Sequence, residues 1–140
     1  MRTNASFDYA IVRVVPRVER GECINAGVIL FSRVQKFLAA KVALDEERLL
    51  ALDPTVDLDG VRSGLAAIPR IAAGDPGAGP IAELSPAERF HWLTAPRSTV
   101  IQTSAVHSGT GDDLDAELDR LMRELVLPPA PGERQGRGGP

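Results

Sequence analysis

Tyr9-Ala10-Ile11-Val12-Arg13-Val14-Val15, Glu22-Cys23-Ile24-Asn25-Ala26-Gly27-Val28-Ile29-Leu30-Phe31 and Phe37-Leu38-Ala39-Ala40-Lys41-Val42-Ala43-Leu44 are the three runs that decide the fold class. Each is rich in β-branched or apolar residues, which fit a pleated, half-buried surface. The first stops at Pro16, which has no N–H to contribute to a ladder. The first link, Pro16 to Gly21, is charged and ends in glycine, as a hairpin loop does, and the second, Ser32 to Lys36, is a short polar turn. Three consecutive strands with short links pair most simply as an antiparallel meander.

Period-two alternation then sorts the faces. Ala10, Val12 and Val14 lie opposite Tyr9, Ile11, Arg13 and Val15. Ile24, Ala26, Val28 and Leu30 oppose Cys23, Asn25, Gly27, Ile29 and Phe31, and Leu38, Ala40, Val42 and Leu44 oppose Phe37, Ala39, Lys41 and Ala43. Each strand has one apolar face, and the mixed face carries Arg13, Asn25 and Lys41. Asn25 and Gly27 inside a strand indicate a bulge or the close approach of another backbone. Cys23, at the start of an apolar run, is expected to be a packed thiol rather than a nucleophile.

Outward from the strands the pattern turns helical. Asp45 is placed to cap Glu46–Leu52, with two Glu in the first turn where the helix dipole favours them. Residues Val56 to Ala73 set Leu58, Val61, Leu65, Ile68 and Ala72 on one stripe, which Pro69 should end or kink. Gly74 to Pro80 reads as a flexible loop. Ser85-Pro86-Ala87-Glu88 is a helix start, with a capping hydroxyl, Pro at the first helical position and Glu at the third, and that helix runs to about Leu93, before Pro96. Thr99–Val106 reads as a fourth strand. Asp112 or Asp113 opens a last helix with Leu114, Leu118, Leu121, Met122 and Leu125 on one face. From Pro128 to Pro140 the chain is Pro/Gly-rich with nothing to bury, a disordered tail. The expected fold is therefore α+β, a mostly antiparallel four-stranded sheet with helices packed on one face, in a single domain over residues 7–127.

Composition agrees and narrows the function classes. The 140 residues are 44% hydrophobic and 25% charged, the balance of a soluble globular domain. No apolar run reaches the length of a membrane span, and the N-terminus has no apolar segment of a signal peptide. One cysteine cannot form an internal disulfide, which fits a cytoplasmic protein. The net charge of −3 conceals a basic first third, with the acids concentrated downstream, notably from Asp112 to Glu124. That balance, with no basic recognition helix, argues against nucleic acid as a partner.

Motifs for phosphate, dinucleotide or metal binding are missing: no P-loop, no glycine fingerprint after a strand, and too few Cys and His for a structural zinc site. No cofactor is expected. Two stretches carry more polar chemistry than packing needs. One is the first hairpin, with Arg13, Arg17, Arg20 and Glu22, followed by Asn25. The other holds Arg89, His91, Trp92, Arg97 and Ser98, then His107. Arg97 can present a fork to a phosphate or carboxylate, with Ser98 and His107 adding donors. Equally, Trp92 can fill the core, Arg89 stack on its edge, and Arg97 cap helix carbonyls. If Arg97 and His107 flank a straight eight-residue strand, they stand roughly 27 Å apart, so Arg97 is the firmer candidate.

The same blocks, Tyr9–Pro16, Glu19–Glu22, Asn25–Phe31, Arg89–Leu93, Ala95–Ser98 and His107–Gly109, resemble a bacterial family known as domain of unknown function 3037 over about residues 7–127. The resemblance implies a small cytoplasmic α+β domain and brings no established activity, cofactor or catalytic residue to transfer. It also implies a HipA-like kinase as a partner, since some members are encoded beside one. Two functions follow as expectations. One is a non-catalytic binding or partner-interaction module that recognises an anionic group or a protein through Arg97, Arg13, Arg20, Asn25, Ser98, His107, Arg89 and Trp92. The other is a small hydrolase or transferase with His107 as base and Arg97 holding an anion. The first is preferred, because no carboxylate or hydroxyl stands at motif spacing beside either His.

Overall fold

A computed structural model describes residues 4–129. The expected α+β class and antiparallel sheet are what the chain adopts. Strands β1 (Ala5–Val14), β2 (Ile24–Ser32) and β3 (Phe37–Val42) form the meander, followed by helices α1 (Glu46–Leu52), α2 (Leu58–Ala72) and α3 (Pro86–Leu93). Strands β4 (Ile101–Thr103) and β5 (His107–Gly111) and helix α4 (Leu114–Leu125) complete the described chain. The sheet order is β3-β2-β1-β4, with β5 also paired to β1.

The single fourth strand expected over Thr99–Val106 is in fact two. β4 pairs antiparallel with Val12–Val14 and β5 with Ala5–Tyr9, while residues 104–106 leave the ladder. The cause is Ser104. Its N–H donates to Ile11 O at 2.8 Å, and the Ile11 N–H donates to Ser104 Oγ at 2.9 Å rather than to a carbonyl. From the Val12–Thr103 pair to the Tyr9–His107 pair, the outer strand uses one residue more than β1.

Asn25 and Gly27, read as a bulge or a close backbone approach, mark both. Val12 pairs with Gly27 but Arg13 pairs with Asn25, leaving Ala26 as the extra residue. Glycine is required there: a Cβ on Gly27 would lie 2.6 Å from Lys41 O and 2.9 Å from Val42 Cγ1. The bulge also inverts the alternation of β2. Ile24 and Ala26 share a core with Ile29 and Phe31, not with Val28 and Leu30. Strict period two assigned the first half of β2 correctly and reversed the second.

The sheet consequently has two buried faces. On one, Val12, Val14, Ile24, Ala26, Ile29 and Phe31 pack against Leu49 of α1, Val61, Leu65 and Ile68 of α2, and Phe90 and Leu93 of α3. Phe31 and Phe90 stack with ring centres 5.1 Å apart. On the other, Phe7, Val28 and Leu30 meet Leu114, Leu118, Leu121 and Met122 of α4. Helices therefore cover both faces rather than one. The face that looked mixed in sequence is the seat of α4, and its polar residues hold that helix. Lys41 pairs with Asp119, and Asn25 Nδ2 donates to Leu125 O at 2.9 Å, satisfying a carbonyl at the helix C-terminus.

Local signals placed most helix ends. Asp45 Oδ1 accepts from Arg48 N at 3.1 Å, and Ser85 and Glu88 form a reciprocal capping box. Pro69 does not end α2, which continues to Ala72. So near the C-terminus the missing N–H forfeits one bond within the last turns. The loop expected at Gly74–Pro80 holds a 3₁₀ turn at Pro76–Ala78, tied by Arg70 Nε donating to Asp75 at 2.9 Å. Cys23 is exposed, not packed, because β2 begins one residue later. From residue 130 onward the tail lies outside the described residues. Among those residues, no helix is long and apolar enough to cross a membrane.

Candidate functional site

The C-terminal corner of α3 gathers the largest share of the candidate residues. Phe90 and Leu93 face the core, three residues apart on one side of the helix, so Trp92 is turned outward and remains 40% exposed. Thr94 ends the helix, its Oγ1 donating to Phe90 O at 2.9 Å, and Pro96 prevents continuation. The chain then doubles back. Arg97 Nη1 donates to Leu93 O at 3.1 Å and Nη2 to Trp92 O at 2.6 Å, while the guanidinium carbon sits 4.6 Å from the Trp92 ring centre. A cation here is favoured twice, by the negative end of the helix dipole and by the indole face. The guanidinium fork keeps donors beyond the two used for capping.

Beside this pair lies a groove of about 190 Å³ between α2, α3 and β4, lined by Ala67, Ile68, Trp92, Arg97, Ile101 and Thr103. Its narrow side depends on Gly64, where a Cβ would fall 2.5 Å from Ile101 Cδ1. Ser98 is exposed next to it.

Arg89 has a different task. Its Nη1 donates to Leu84 O at 2.6 Å and its Nη2 to Ala72 O at 3.2 Å, pinning the end of α2 to the turn before α3. The cation stacked on Trp92 is Arg97, not Arg89. Arg20 is paired with Glu22 at 2.6 Å on the exposed hairpin, and the hydrogen bond between them holds the Glu22 carboxyl below its usual range.

Arg13 and His107 belong to the other side of the sheet. Arg13 shares a rung with Asn25 and Gln102, on the face of Tyr9 that α4 packs against. Its Nε is buried without a hydrogen-bond partner among the described residues. His107 stands opposite Tyr9 with ring centres 5.4 Å apart. Arg13 and Asn25 are therefore neighbours, as are Arg97 and Trp92, but the sheet separates the two groups.

One residue escaped sequence reasoning. Asp53, the residue just past the end of α1, is 5% exposed. Its Oδ1 accepts from Thr55 N at 2.9 Å and Thr55 Oγ1 at 2.7 Å, and faces Arg17 Nη2 at 3.5 Å. The Thr55 bonds foremost, with Arg17 in support, hold its carboxyl below the usual range. The Asp-Pro-Thr turn is visible in the sequence as a side chain bonding its backbone two residues on. Its meeting with Arg17 is not.

A family model with the description "Protein of unknown function (DUF3037)" matches residues 9–126. No curated protein and no solved structure matches the chain.

Proposed function

The chain belongs to the DUF3037 family, and from that premise we propose that it is a non-catalytic partner-binding module whose docking face is the Trp92–Arg97 corner. The observation that carries this reading is the chain's single tryptophan, 40% exposed at a helix end with an arginine stacked on it. Tryptophan and arginine are the residues most enriched where binding energy concentrates in protein interfaces. The partner is a protein segment that offers an apolar side chain to the groove and, beside it, a carboxylate to the remaining Arg97 donors. An enzyme built on His107 as base with Arg97 as anion holder is disfavoured, because the sheet stands between them. The ring partner of His107 is Tyr9, not an orienting carboxylate.

Trp92 reports on its own occupancy, since all tryptophan emission comes from it. Short peptides combining an acidic with a large apolar residue, selected on the protein from a display library, are expected to shift that emission on binding. They should also lose affinity for Arg97→Gln, measured by anisotropy of the labelled peptide. The variant loses capping bonds at the surface, costing about 1 kcal/mol of stability, and stays folded. Selected peptides that leave Trp92 emission unchanged, or bind Arg97→Gln as tightly as the parent, would refute the proposal.

A further inference from the structure

Asp53 lines a cleft of about 560 Å³ that shares Thr99 and Ile101 with the Trp92 groove. Pro16, Val56, Val61, Val100 and Ile101 give it apolar walls, and Thr99 adds a hydroxyl. That volume is in the range that holds a small organic molecule. We propose that this cleft binds a guanidinium group carried on a short apolar stem, with the Arg17 side chain occupying the position in its absence.

The argument begins with an incompletely matched charge. An almost fully buried carboxylate is normally paired and hydrogen-bonded. Both hydrogen bonds to Asp53 fall on Oδ1 and come from a neutral threonine, and Arg17 Nη2 approaches the same oxygen. The cation beside it, Arg17, stands at 3.5 Å, beyond the roughly 2.7–2.9 Å of a charge-assisted bond. Its side chain is 48% exposed and also faces Glu19 at 3.8 Å. Arg17 sits on the hairpin loop between β1 and β2, outside the ladder, so it can swing away without breaking sheet bonds. A guanidinium entering through the cleft can engage the second carboxylate oxygen in the planar, two-bond geometry that Arg17 does not achieve. Its stem would lie along the valine and isoleucine walls. Arg17 itself identifies the chemistry, since its own fork is the group already drawn to Asp53.

Butylguanidine and its uncharged isostere butylurea are the probes, followed by amide chemical shifts of the full chain. Butylguanidine is expected to shift Thr55, Gly60 and Thr99 saturably, and butylurea is not. Arg17→Ala removes the internal competitor and should bind butylguanidine about tenfold more tightly, if the latch is closed about nine-tenths of the time. Asp53→Asn should bind neither probe. Should that variant fail to fold, the charge requirement is still read from the two probes on the parent and on Arg17→Ala. N-acetylarginine methylamide separates the sources: binding like butylguanidine identifies an arginine side chain as a ligand, and its exclusion identifies a free guanidine. Equal binding of both probes, no saturable shift in either protein, or no gain in Arg17→Ala would overturn the proposal.

Discussion

At Ser104 the outer strand steps aside, and a hydroxyl takes the place of a backbone carbonyl as acceptor for the Ile11 N–H at 2.9 Å. Ile11 is buried, so no water stands ready to replace that bond. Ser104→Ala should therefore cost about 1–3 kcal/mol, the penalty for an unsatisfied buried donor. Denaturant midpoints of the two proteins measure it, and coincident midpoints would mean that the strands re-pair without the hydroxyl. Arg97 presents the opposite case. Its bonds close within five residues on a surface corner, so its loss is felt by a partner more than by the fold. Cys23 marks where residue-scale reading stops: its apolar neighbours argued for burial, yet the last rung of the β1–β2 ladder is Val14–Ile24, and it lies just beyond.

Strands and helices respond differently to single residues. The capping box of α3 depends on four consecutive positions and was visible as such. The bulge in β2 was visible too, as Asn25 and Gly27, but its consequence reaches further than its cause. One extra residue turns every later side chain of the strand to the other face. Gly27 also sets how closely β2 and β3 approach. Gly27→Ala would bring a methyl group to 2.6 Å from the Lys41 carbonyl, a backbone atom that cannot rotate away. The two strands must separate, at an expected cost of about 1–3 kcal/mol for overpacking. Thermal melts check this, and hydrogen exchange should show the loss concentrated in the β2–β3 amides.

Across the whole molecule the sheet is a partition with a core on each side. The second core depends on one helix. Leu114, Leu118, Leu121 and Met122 of α4 are buried, each worth about 1.5–3 kcal/mol, against a margin of about 5–15 kcal/mol for a typical domain. A chain ending after Gly111 would expose Phe7, Val28 and Leu30 and lose the Lys41–Asp119 and Asn25–Leu125 ties. It is expected to lose its cooperative melt and to bind a hydrophobic dye. A sharp melt at the parent temperature would make α4 an accessory. The same partition divides the candidate site, placing Arg97 with Trp92 on one side and His107 with Tyr9 on the other.

The meander, the cap of α1, the capping box of α3 and an irregularity of β2 at Asn25–Gly27 were all decided by the sequence, because each rests on interactions completed within a few residues or on an alternation that a short strand repeats. Trp92 and Arg97 could be named as candidates for the same reason, being five residues apart at a helix end, though sequence left open whether Arg97 would cap or bind. The tertiary structure alone decided that α4 closes the mixed face, that the last strand divides at Ser104, that Arg97 and His107 stand on opposite sides, and that Asp53 meets Arg17. Those outcomes join residues from 36 to 100 positions apart. Which distant segments meet depends on packing both faces of the sheet at once, and no local pattern carries that information.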